Sequence, residues 1–374
     1  MTRHFLSAEE QARYAEARLD AVRAMARVAS EQGCAFAVVC GDVFDSNHLD
    51  RAVVARAVDA LASFDIPVYL LPANHDPLNA ASVFRSSAFT ERKPANVIVL
   101  ESSDPLAVPG VAAEIVGAPW DSKQPLEDLV ARACTGLPAR TSAATARVLV
   151  GHGAVDTLSP DKESPALIRL AAAERAIADG VIDYIALGDR HSATEVGTSG
   201  RIWYAGTPLV TDYTEALPNH ALVVEIEPGA GPNGSAAVRV TPHRVGTWSF
   251  TLQQFDVNGR EEVEAIEAFL DAIPDKRNAV VKLSFRGTIN LTEQEQLDTV
   301  LERAADVFAA LETWERHTDL HLLADTADFD ELGLSGYALT TMESLREEAA
   351  RGGAHGEVAQ DALNLLFRLA RSGA

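Results

Sequence analysis

At 374 residues the chain has room for one large α/β domain and a smaller one, and its 47% hydrophobic and 23% charged residues are those of an ordinary globular protein. No apolar run of about 18 residues offers a membrane span. The balance of 32 Lys+Arg against 54 Asp+Glu, net charge −22, argues against non-specific nucleic-acid binding over the whole surface, but not against a local cation-filled site or a basic groove. Tight nucleic-acid binding would then call for a partner chain. No basic segment leading into an apolar run opens the sequence, so no secretory signal is expected. Cys34, Cys40 and Cys134 lack the spacing of a metal knuckle and read as inert core thiols of a reducing, cytoplasmic protein. Cys34 and Cys40, an even number of residues apart in one apolar stretch, are expected to share a buried face.

In chain order, Ser7-Ala8-Glu9-Glu10 is a capping box that opens a long amphipathic helix. Ala15, Leu19, Val22, Ala26 and Val28 lie on or near its apolar stripe, and Gly33 ends it. Residues 34–40 read as a buried strand, 48–63 as a helix, 67–71 and 96–100 as strands, and 106–119 as short antiparallel pieces. A helix is expected at 124–133, a strand at 147–150, a helix at 166–178 and a strand at 183–187. From Arg201 the pattern becomes β-rich, with strands at 202–205, 221–226 and 236–240. A second unit begins near Gly246: strand 250–257, helix 261–270, strand 279–285, helix 292–311 and strand 320–323. Amphipathic helices at 340–350 and 358–369 flank Arg351-Gly352-Gly353. Such a tail either docks on a partner or packs back on its own domain. The expected domains are 1–246, 247–330 and 331–374.

Gly41-Asp42-Val43-Phe44-Asp45, Ala73-Asn74-His75-Asp76, Gly151-His152 and Gly188-Asp189-Arg190-His191 each follow an apolar run. Residues just past the C-terminal ends of parallel strands gather at the mouth of the sheet, where α/β proteins keep their sites. Asp42 and Asp189 bring carboxylates, Asn74 an amide oxygen, His152 and His191 imidazoles. Mixed nitrogen and oxygen donors without thiolate suit Mn²⁺, Fe²⁺ or Zn²⁺ better than Ca²⁺, and two such ions can drive in-line phosphoryl displacement. His75, beside a donor without obviously being one, would face the scissile phosphate and protonate the leaving oxygen or steady its charge.

These four motifs, in this order, resemble those of the calcineurin-like metallophosphoesterases. The β-rich stretch after His191, with Gly206-Thr207-Pro208, and the later α/β unit are similar to the SbcD-type DNA-repair exonucleases of that superfamily. The resemblance covers roughly residues 1–330. It implies an α/β fold, a two-sheet sandwich flanked by helices with a smaller C-terminal α/β cap and a helical tail. It also implies two Mn²⁺ ions, with Mg²⁺, Fe²⁺ or Zn²⁺ as substitutes. Asp42 would bridge them, Asn74, His152 and Asp189 would hold one, His191 would help hold the other, and His75 would be the catalytic histidine. DNA is the implied substrate and an SbcC-type coiled-coil ATPase the implied partner; a homodimer is compatible, a membrane is not.

The chain departs from the family pattern in several places. Asp189 stands where a histidine is usual, Ala73 where a glycine is, and Asp45 where a histidine is frequent. Members also begin with a strand ending in Asp-x-His or a close variant, just before the segment equivalent to Met1-Thr2-Arg3-His4; its absence here is expected to reflect a start assigned too late, the alternative being a naturally incomplete, poorly active form. On that reading the chain from Met1 holds at most one metal tightly. A phosphodiesterase of small molecules and a non-catalytic structural subunit are the competing functions. The first would need neither cap nor docking tail, and the second is motivated by the absent first motif.

Overall fold

The computed structural model describes residues 3–322 apart from 141 and 143, and residues 336–366 apart from 354, 357, 360, 361, 364 and 365. The chain divides into two compact units, one built on Ser7–Trp248 and the other on residues from Ser249 onward with His4–Leu6.

In the first unit α1 (Ala8–Glu31) starts at Ser7, whose hydroxyl accepts the Glu10 N–H. Its buried positions are Tyr14, Ala21, Ala24, Ala26 and Ala29, whereas Ala15 is exposed. The stripe therefore lies one residue off the expected one in the first turns, where the large ring of Tyr14 takes the inward position. After Gly33, at φ +63°, come β1 (Ala37–Val39), α2 (Arg51–Leu61), β2 (Val68–Leu70), α3 (Ser87–Thr90) and β3 (Val97–Val99). β1, β2 and β3 pair in parallel in that order. Then follow β4 (Leu106–Ala107), β5 (Ala113–Gly117), α4 (Leu129–Cys134), β6 (Ala146–His152), α5 (Leu170–Ala178), β7 (Tyr184–Gly188), β8 (Thr194–Glu195) and β9 (Ile202–Tyr204). They make a six-stranded sheet in the order β4-β5-β6-β7-β9-β8. A hairpin of β10 (His220–Glu227) and β11 (Ala237–Arg244) closes the unit.

The two larger sheets face each other, and the period of two along each strand decides what goes where. Val38, Cys40, Tyr69, Leu71, Ile115, Val148, Val150, Tyr184 and Ala186 fill the layer between them. The alternate residues Val39, Val68, Leu70 and Val97 pack outward against Ala26, Ala29, Val54 and Val58 of α1 and α2. On the other side Val116, Leu149, Ile185 and Leu187 pack against Leu129, Val130, Ala173 and Ile177 of α4 and α5. The unit is thus an α/β sandwich of two sheets flanked by helices.

The expected common face for Cys34 and Cys40 is not found. β1 begins only at Ala37, and Cys34 still belongs to the turn that bonds its N–H to Ala29. Cys34 consequently packs with the helices while Cys40 lies between the sheets. The strand expected at 147–150 extends through His152, and the helix expected from residue 124 starts at Leu129, where Asp128 caps the Ala131 N–H.

In the second unit β12 (Ser249–Val257), β13 (Ala279–Ile289), β14 (Ala310–Thr313) and β15 (Asp319–Leu322) form one parallel sheet with β13 central. α6 (Arg260–Ala272) and α7 (Leu291–Ala305) cover it through Val263, Ile266, Leu270, Leu297 and Val300. A complete capping box of Asn290 and Glu293 opens α7. The helix expected to run to residue 311 stops at Ala305. Ala309 donates its N–H to the Lys276 and Ala279 carbonyls instead, which starts β14. The helix Tyr337–Ala350 buries Met342 with Leu363. Of the tail helix expected at 358–369, residues 358, 359, 362, 363 and 366 are described and helical; the rest lie outside the described residues. No helix among the described residues is long and apolar enough to cross a membrane.

Candidate metal centre

The first unit brings four of the expected donors together. His152 ends β6 on the face that Val148 and Val150 direct between the sheets, and its side chain is 1% exposed. Its Nδ1 lies 2.8 Å from the Cys40 carbonyl oxygen, which can only accept, so Nδ1 carries the proton. Nε2 then presents a lone pair to Asn74 Oδ1 at 2.8 Å, Asp42 Oδ2 at 3.5 Å and Asp189 Oδ1 at 3.7 Å. Polar atoms from four strand ends thus converge on one point.

Backbone geometry makes this approach possible. Asp42 and Asp189 both hold positive φ, +51° and +98°, a conformation that L-residues adopt at some cost and that clusters at functional sites. A Cβ on Gly41, φ +99°, would stand 2.4 Å from His152 Nδ1, and one on Gly188 would stand 1.9 Å from the Cys40 carbonyl oxygen. Only glycine leaves room at these two positions for the carboxylates that follow them.

Burial pushes the Asp189 carboxyl up, and the nearby Asp42 charge adds to it against the pull of His152, His191 and His75. A divalent cation would relieve that crowding. One imidazole nitrogen and three oxygens suit such an ion. Among the described residues no group of three or more His, Cys, Asp or Glu side chains makes a metal-holding set unaided. Asn74 supplies the donor nearest His152, so the set depends on an amide.

Asp76 holds the site together and was not singled out by sequence reasoning beyond its place in the motif. It is fully buried, taking the Phe44 N–H on Oδ2 and the Ala73 N–H on Oδ1, both at 2.9 Å. One carboxylate thus ties the Asp42 loop to the Asn74 loop. Burial raises it to about 6, with these two N–H groups opposing and the Asp42 charge adding.

His75 is exposed beside the donors. Its N–H donates to Asp42 Oδ1 (3.2 Å) and its Nδ1 to the Asp45 carbonyl (3.2 Å), leaving Nε2 free. Asp45 in turn pairs through both carboxylate oxygens with Arg18 of α1, at 3.0 and 3.1 Å. His191 has further partners of its own. Its Nδ1 edge is turned to Thr211 Oγ1 (2.6 Å) and Glu215 Oε1 (3.1 Å), while the charges of Asp189 and Asp42 still act on the ring. Glu215 carried no sequence signal: it follows a loop, not an apolar strand.

Residues 11–193 match the family model of the calcineurin-like phosphoesterases. That family hydrolyses phosphoesters with divalent metals. No curated protein matches the chain. Among solved structures, the crystal structure of TT1561 of Thermus thermophilus is similar at 10% identity, over 51% of this chain and 84% of that one, with a TM-score of 0.35.

Proposed function

We propose that the chain is a metal-dependent phosphodiesterase acting on DNA, an exo- or endonuclease of DNA repair that uses Mn²⁺ and works with an SbcC-type coiled-coil ATPase in the cytoplasm. The convergence of Asp42, Asn74 and Asp189 on the bare Nε2 of His152 carries the phosphodiesterase reading. These four would hold one ion, and His191 would help hold a second beside Asp42. A bound divalent cation supplies positive charge for the phosphoryl oxygens and makes water a better nucleophile.

The protein's own groups then orient and protonate. Asp76 fixes the relative position of the two donor loops. His75, steadied by the Asp45 carbonyl, offers Nε2 to the leaving oxygen as a proton donor or charge stabiliser. The motif order and the α/β unit after Ser249 support DNA over a small phosphoester, since a second unit of that size suits a polymer. Exposed Tyr337 and Val358 on the tail offer apolar contacts to the ATPase.

The test is hydrolysis of linear duplex and single-stranded DNA with Mn²⁺, alongside bis-nitrophenyl phosphate. The reading expects all activity to vanish in Asp42→Ala and DNA to be the better substrate. Turnover of the small diester alone would assign the site to small phosphoesters.

A further inference from the structure

We propose that Glu215 is the positioning residue for His191, holding the ring so that Nε2 is presented to a divalent cation beside Asp42 and Asp189. This rests on the metal reading above and extends it by a residue that lies outside the four motifs.

The segment 206–219 folds back over the turn that carries His191. The Thr207 N–H donates to the His191 carbonyl at 3.0 Å, and the Ala216 N–H donates to Ser192 Oγ at 2.9 Å. Val210 N–H donates to Asn219 Oδ1 at 2.8 Å, and the Asn219 amide donates to the Trp248 carbonyl at 2.8 Å. Within this stitched loop the Thr211 N–H donates to Glu215 Oε2 at 2.9 Å and the Thr211 hydroxyl donates to Oε1. The Glu215 side chain is 4% exposed, against 55% for His191. A carboxylate that buried requires partners, and its remaining one is His191 Nδ1.

The hydroxyl proton of Thr211 is already given to Glu215. Both oxygens facing Nδ1 therefore accept, and Nδ1 must be the protonated nitrogen of the neutral ring. Nε2 of the neutral ring is then the nitrogen left to bind a cation, and the Asp189 and Asp42 charges act on that ring. Metal-binding histidines commonly have their second nitrogen held by a carboxylate, which fixes both tautomer and ring orientation. Glu215 is placed to do this for His191, while the Cys40 carbonyl does it for His152.

A loop staple with no such role would leave the tautomer unaffected, so the tautomer is the readout. The experiment records the imidazole nitrogen resonances of the full chain at mildly alkaline pH while Zn²⁺, a diamagnetic probe, is titrated in. In the wild type His191 should show a protonated Nδ1 and an Nε2 resonance that moves with Zn²⁺. In Glu215→Ala the proton should redistribute toward Nε2, and the Zn²⁺ concentration at half-change should rise roughly 10–100-fold, the scale for loss of such a support. Glu215→Gln, which keeps size and one acceptor oxygen, should fall between them and serves if the alanine variant does not fold. An unchanged His191 tautomer and Zn²⁺ midpoint in both variants would overturn the proposal. Zn²⁺ that moves His152 but never His191 would overturn it too, whereas Zn²⁺ that moves neither ring would overturn the metal reading beneath it.

Discussion

His152 Nδ1 donates across the sandwich to the carbonyl oxygen of Cys40 at 2.8 Å, joining the end of β6 to the end of β1, 112 residues earlier. That bond selects the tautomer and aims Nε2 at Asn74, Asp42 and Asp189. It also crosses the spot where Gly188 lies bare, so Gly188→Ala is a sharp probe. The new Cβ would fall 1.9 Å from the Cys40 oxygen and 2.9 Å from His152 Nδ1. Overpacking of this kind costs about 1–3 kcal/mol. Urea unfolding should report that loss, and Mn²⁺ affinity should fall further than the stability change alone explains.

Asp76→Ala should loosen the site without touching a metal donor. It strands the buried N–H groups of Phe44 and Ala73, at about 1–3 kcal/mol for each unsatisfied group. Denaturant midpoints should drop accordingly, and metal titration should show weaker binding because the two donor loops are no longer tied. Asp76→Asn, which keeps one acceptor oxygen, should lose less.

His75→Ala should separate chemistry from binding. In the proposed function the ring offers Nε2 to the leaving oxygen, whereas the contact with Asp42 is made by the backbone N–H of His75. Metal affinity should therefore persist while hydrolysis falls by roughly 10²-fold or more, the scale of a general acid or charge stabiliser. Metal titration and steady-state rates on the same preparations check both halves.

The convergence of Asp42, Asn74, His152 and Asp189 was legible in the sequence because each follows or ends an apolar run, and strand ends in a sandwich of this kind meet at one edge. The supports were not. Asp76 acts through backbone N–H groups, one of them 32 residues away, and Glu215 acts from a loop 24 residues beyond His191. Such contacts leave no period in the sequence. The elements themselves followed their patterns where burial was two-sided, as in β2, β6 and β13. Residues 310 and 311 continue an apolar stripe, and only the long-range bonds of Ala309 turn them into a strand. Cys34 was misplaced because an apolar run hides the residue at which pleating begins.

Burial raises the Cys134 thiol from 9.0 to about 11, with the Asp128 charge adding to it. The folded state keeps this proton while the unfolded chain releases it. The stabilisation is fully present below pH 9.0 and is lost as pH rises through about 11. Urea midpoints of the wild type should fall more steeply over that window than those of Cys134→Ala, and the two slopes should agree at neutral pH.

The central claim is that Asp42, Asn74, His152 and Asp189 together hold a divalent cation. Calorimetric titration of the metal-free chain with Mn²⁺ tests it most directly. One ion per chain should bind tightly, and that event should disappear in Asp42→Ala and in His152→Ala while both variants still unfold cooperatively. An isotherm without a tight event, or one that both substitutions leave unchanged, would contradict the account.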